Sequence, residues 1–110
     1  MSKKHTVYEK YLLALRVIQP ARVQDIFNAY CEIWGEEPAE SLKTLVYEIH
    51  DEMKSRERIM SVRRGTYILN AKEMVRAGQV LENERSADNA RLFLMKEQRI
   101  KYAKRARRHG

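Results

Sequence analysis

Residues 41–69 of the chain read SLKTLVYEIHDEMKSRERIMSVRRGTYIL, and the hydrophobic period changes in the middle of that stretch. Leu42, Leu45, Val46, Ile49 and Met53 recur at i, i+3, i+4, i+7 and i+11, the spacing that sets apolar side chains on one face of an α-helix. Ser41 stands where an N-cap is expected, and the outer face is left with Lys43, Thr44, Tyr47, His50, Asp51 and Lys54. After Ser55 the apolar runs become short and strand-like, 58–62 and 66–69, with Arg63, Arg64 and Gly65 between them. Gly65 supplies the positive φ of a tight hairpin turn. The pattern predicts a helix followed by a two-stranded hairpin with an Arg-Arg-Gly tip.

Upstream, Val7, Tyr8, Tyr11, Leu12, Leu15, Val17 and Ile18 predict a helix over 7–18 with one buried face. Pro20 ends it at Gln19 and suits the opening turn of a second helix over about 21–34. There Val23, Ile26, Phe27, Tyr30 and Trp34 repeat the helical spacing, and Gly35 follows as a left-handed terminal residue. The aromatics of this helix sit at core spacing, so they read as packing residues rather than a stacking platform. Downstream, Asn70 followed by Glu73 resembles a capping box and starts a fourth helix near Ala71. Gly78 weakens that helix, and the polar residues 83–89 break it. A fifth segment holds Leu92, Phe93, Leu94 and Met95. Four consecutive apolar residues cannot all face one core, so one side of this run meets a second subunit or docks back on the first helix. The predicted fold class is mainly α with a small β-hairpin, organised as a domain over 1–82 and a helical basic extension over 83–110.

Charge divides the chain in the same place. The protein has 110 residues and a net charge of +7. Residues 91–110 hold eight basic side chains, Arg91, Lys96, Arg99, Lys101, Lys104, Arg105, Arg107 and Arg108, against the single acid Glu97. The first ninety residues therefore cancel. A cationic block of this density attracts phosphate backbones through counterion release and needs no base contact to do so. Nucleic acid is the expected partner, duplex DNA first, with RNA as an alternative that the charge pattern leaves open. No apolar run approaches the roughly 20 residues needed to span a bilayer, and no apolar signal segment follows Met1, so the expectation is a cytoplasmic protein without a membrane partner. Cys31 is the sole cysteine, and His5, His50 and His109 are far apart. The expectation is therefore neither a disulfide nor a metal site nor a cofactor. With no Gly-rich phosphate loop and no nucleophile-base array, no catalytic residue is assigned.

Three helices followed by a hairpin is the order of a winged helix-turn-helix domain. Residues 8–69 resemble the winged helix-turn-helix domains of the HARE-HTH type and those at the N-terminus of Mrr-like restriction proteins. The matching features are Tyr8-Glu9-Lys10-Tyr11-Leu12-Leu13-Ala14-Leu15, then Val23-Gln24-Asp25-Ile26, then Arg64-Gly65-Thr66-Tyr67-Ile68-Leu69. The resemblance implies a DNA-associated module of bacteria or phages with no catalytic residues of its own. On that reading the DNA-binding residues are Lys43, Thr44, Tyr47 and Lys54 on the third helix and Arg63 and Arg64 on the wing. Arg99, Lys101, Lys104, Arg105, Arg107 and Arg108 join them from the tail.

One feature of the third helix departs from this pattern. It also carries Glu48, Asp51 and Glu52, and acids aimed at phosphates repel them unless they sit clear of the backbone or accept from cytosine. Affinity is therefore assigned first to the wing and the tail. His50 reads as a surface residue, while Tyr47 is open between DNA contact, protein interface and chance exposure. The expected function is a transcriptional or nucleoid-type regulator. The alternatives are an adaptor docking on RNA polymerase or a defence component, and an RNA-binding protein; a homodimer also stays open.

Overall fold

A computed structural model describes residues 5–85 of the chain. Its order is α1 (Val7–Ile18), α2 (Val23–Trp34), α3 (Glu40–Ser55), β1 (Ile59–Arg63), β2 (Thr66–Leu69) and α4 (Ala71–Arg85). The class is the expected one, mainly helical with a two-stranded antiparallel hairpin.

Helix α1 is the centre of the packing. Thr6 caps it: its hydroxyl accepts from the Glu9 N–H, and the Glu9 carboxylate returns to the Thr6 N–H at 3.0 Å. This capping box satisfies two of the donors a helix start leaves unpaired. The sequence pattern predicted one buried face, but five consecutive residues, Tyr11, Leu12, Leu13, Ala14 and Leu15, are buried. The reason is that α2, α3, α4 and β2 all pack on α1, so no side of its middle turn meets water. Each of the three leucines contributes about 2 kcal/mol by leaving water.

Helix α2 starts at Val23, later than the expected 21. Ala21 pairs instead with Tyr67 of β2, exchanging hydrogen bonds of 3.1 and 2.9 Å. Backbone groups spent on that bridge are not available to a helix, and Arg22 becomes the N-cap with extended backbone. Pro20 thus lies outside α2; the Gln19–Pro20 peptide bond is cis. Gln19 ties three elements together, since its side-chain carbonyl accepts from the Leu69 N–H at 2.9 Å and its amide approaches the Met74 sulfur at 3.1 Å. Phe27, Tyr30 and Trp34 are buried, as their spacing predicted, and Gly35 closes α2 at φ 63°. Trp34 donates its indole N–H to the Lys10 carbonyl at 3.2 Å. Cys31 is buried, and burial raises its thiol pKa, with Glu36 adding to the effect.

Helix α3 corrects the sequence reading most. It begins at Glu40 with Ala39 as N-cap, so Ser41 lies within the first turn instead of capping it. Its buried residues are Val46, His50 and Met53, while Leu45 is 48% exposed. At about 100° per residue, His50 lies only about 40° from Val46 and Leu45 lies about 100° from it. Burial centres on Val46, which takes the histidine inward and leaves the leucine out. The helix ends with Arg58 N–H bonded to the Met53 carbonyl and Glu57 N–H to the Lys54 carbonyl, the paired bonds of a Schellman ending. Glu57 holds the left-handed position, φ 57°, that such an ending requires.

The hairpin is one residue longer at the tip than expected, β1 running to Arg63, so Arg64 and Gly65 alone form the turn. Gly65 takes φ 74°. Ile59 pairs with Leu69, both buried, and Met60 pairs with Ile68 on the other face. A register shift falls between Ser61 and Arg63.

Helix α4 starts as predicted, with the Glu73 N–H donating to Asn70 Oδ1 at 2.9 Å. It is helical through Arg85, the last described residue, so the first three residues of the expected break at 83–89 are still helix and the other four lie outside the described residues. The second half of the capping box is replaced. The Glu73 carboxylate is buried, 2% exposed, and accepts from the Tyr8 hydroxyl at 2.5 Å, with Arg58 at 3.5 Å and Arg76 at 3.8 Å.

Candidate nucleic-acid interface

The outer face of α3 brings Lys43, Thr44 and Tyr47 together around a shallow depression of about 270 Å³ that Glu40, Glu48 and Asp51 also line. Tyr47 is held in place: its hydroxyl donates to Gln24 Oε1 at 2.7 Å, and Lys43 Nζ lies 5.4 Å from its ring centroid. Gln24 belongs to the first turn of α2, so this bond braces the two helices at the surface. The Thr44 hydroxyl donates to the Glu40 carbonyl within its own helix at 3.0 Å. Lys54 is exposed and pairs with Asp51 at 3.4 Å. The depression therefore carries one cation against three carboxylates. A surface of that sign repels phosphate, and the screening of exposed charges by salt reduces the repulsion without reversing it.

Other exposed cations of the described residues stand on other elements. Arg63 and Arg64 are exposed at the hairpin tip, and the Arg63 carbonyl accepts from the Ser61 hydroxyl at 2.7 Å. Arg22, which the sequence reading passed over, is exposed at the N-cap of α2. Its nearest sequence signal was its place just after Gln19-Pro20, where a helix start was already expected. Gln24 was missed as well, because its role depends on a partner 23 residues away. Arg99, Lys101, Lys104, Arg105, Arg107 and Arg108, and the apolar run at 92–95, lie outside the described residues.

His50 is not part of the outer face. It is 4% exposed and sits 2.9 Å from the Tyr11 hydroxyl through Nδ1, with the Tyr67 ring edge-on at a centroid distance of 5.1 Å. Burial lowers its pKa to about 4; Lys54 pushes the same way and Asp51 opposes. A neutral imidazole here joins α1, α3 and β2 and contributes no charge to a phosphate site.

Among the described residues no three His, Cys, Asp or Glu side chains converge as a metal site, and no helix is long and apolar enough to cross a membrane. No protein-family model, no curated protein and no solved structure matches this chain.

Proposed function

We propose that the chain is a small DNA-binding protein, a winged helix-turn-helix regulator of transcriptional or nucleoid type. The hairpin tip and the basic C-terminal run supply its affinity for duplex DNA. One observation carries the reading: eight basic residues against one acid occupy residues 91–110, attached to ninety residues that are neutral overall. The exposed Arg63 and Arg64 add a second cationic point on the compact domain. Contacts of this kind position a protein on the phosphate backbone without reading sequence. The acids around Tyr47 make α3 an orienting element rather than the source of affinity.

The test is the salt dependence of duplex binding. If the tail neutralises about five phosphates, the log-log slope exceeds about 4 in magnitude, and deleting residues 96–110 flattens it. Replacing Arg63 and Arg64 together by alanine lowers the slope by a further unit or two. Absence of affinity for any duplex at near-physiological ionic strength defeats the reading, and tighter binding of RNA in direct competition moves the substrate class to RNA.

A second reading is favoured by the α3 surface itself. Tyr47 and the carboxylates of Glu40, Glu48 and Asp51 form an aromatic and acidic patch suited to a basic protein partner. As an adaptor, the protein would lose partner binding on Tyr47→Ala while its DNA salt slope stayed unchanged.

A further inference from the structure

Between α1 and α4 runs a groove of about 850 Å³ whose walls include Tyr8, Leu12, Val75, Arg76, Gln79 and Val80. Val75 is 63% exposed, more than the other large hydrophobic side chains found exposed among the described residues, and it stands beside Leu12 and Val80, which belong to the core. Val75 is thus an apolar side chain left open to water in a concave wall that leans on buried core residues, a place for another apolar group to dock. The groove extends along α4 from Lys72 to Asn83, two residues short of the last described residue of that helix.

We propose that this groove takes the apolar run of the same chain, Leu92, Phe93, Leu94 and Met95. Three observations favour that occupant over others. The first is reach: from Arg85 to Leu92 an extended chain covers up to about 24 Å, whereas the α4 wall from Lys72 to Asn83 is about 17 Å long. The second is composition. Ser86, Asp88 and Asn89, between the end of α4 and the apolar run, are residues that favour a reversal of direction. The third is charge: Lys72 and Arg76 outnumber the single carboxylate of Glu9 on the groove, and this net positive lining disfavours the cations from Lys96 onward. The uncharged quartet is the part of the C-terminal sequence that fits. Seated there, it anchors the start of the basic run on the domain and raises the effective concentration of those cations for any polyanion the domain already touches. The inference does not depend on the nucleic-acid reading.

Hydrogen exchange and methyl NMR on the full chain test it. Amides of residues 92–95 exchange about ten-fold faster in Val75→Asp than in the parent protein. Phe93→Asp shifts the Val75 methyl resonances from the other side of the contact. Val75 is exposed, so its substitution leaves the core intact, which the circular dichroism spectrum verifies; Phe93→Asp gives an independent readout without altering the described domain. Unchanged exchange at 92–95 in Val75→Asp overturns the proposal, as do unmoved Val75 methyls in Phe93→Asp. Protection that disappears on dilution, with a dimer in sedimentation, overturns it in favour of a second copy in the groove.

Discussion

His50 makes the stability of this protein depend on pH in a direction opposite to that of a salt-bridged histidine. Burial lowers its folded-state pKa to about 4, below the 6.5 of the unfolded chain. Between those values the unfolded chain binds a proton that the folded chain refuses, so stability is complete above about pH 6.5 and falls as the pH drops toward 4. The full drop corresponds to about 3 kcal/mol. Urea titrations at pH 7.5 and 4.5 should show most of that loss, and His50→Gln, which keeps a hydrogen-bonding partner for Tyr11, should remove it. Glu9 acts lower on the scale. Its hydrogen bond from the Thr6 backbone N–H holds its carboxyl below the usual 4.5, so its contribution is present above that value and lost as the pH falls further. Glu73 is the other decisive single residue. Replacing it by alanine strands Arg58 and the Tyr8 hydroxyl beside a buried void, and should cost about 3 kcal/mol in chemical denaturation. Neither residue was legible as a core member. His50 reads as a surface residue and Glu73 as a capping-box partner of Asn70, and only partners 39 and 65 residues away bring them inside.

Among the elements, those with a strong period and local punctuation were readable almost to the residue. α1 was predicted over its observed bounds, β2 likewise, and Asn70 marked the start of α4. The misses share a cause, which is that a neighbour competes for a backbone group or a helix face. Ala21 leaves α2 to bridge Tyr67, and α3 turns its Val46 side inward because that side meets α1 and α2. Two substitutions separate local from tertiary control. Glu57 sits at φ 57° in the ending of α3, a conformation that costs a side-chain-bearing residue about 1 kcal/mol. Glu57→Gly should raise stability by roughly that amount. Gly78 sits inside α4, where an added Cβ would meet nothing closer than Arg16 Nη1 at 3.8 Å, an ordinary contact. Gly78→Ala should stabilise by about 0.5 to 1 kcal/mol, which thermal unfolding would register as a midpoint about 4 °C higher.

At the scale of the whole molecule, the packed core and the densest positive charge are located in different parts of the sequence. The described core lies between Tyr11 and Val80, while the densest positive charge lies in residues 91–110. Deleting residues 96–110 should therefore leave the melting temperature within about 2 °C of the parent value. The same deletion should weaken polyanion binding and flatten its salt dependence. A large loss of stability on that deletion would show that the basic run packs into the fold.

Local physics determined much of this protein from the sequence alone. Helical spacing, the Arg64-Gly65 turn, the Asn70 cap and the placement of positive charge each depend on residues close together in the chain, where periodicity and φ preference act without help from the rest of the fold. Tertiary structure alone decided which face of α3 is buried and that Glu73 is a buried carboxylate held by Tyr8 and Arg58. It also decided that a groove with Val75 exposed on its wall lies open between α1 and α4. Those features are set by contacts between residues far apart in sequence, and burial converts an imidazole or a carboxylate from a solvated group into a structural one only once such contacts have closed around it.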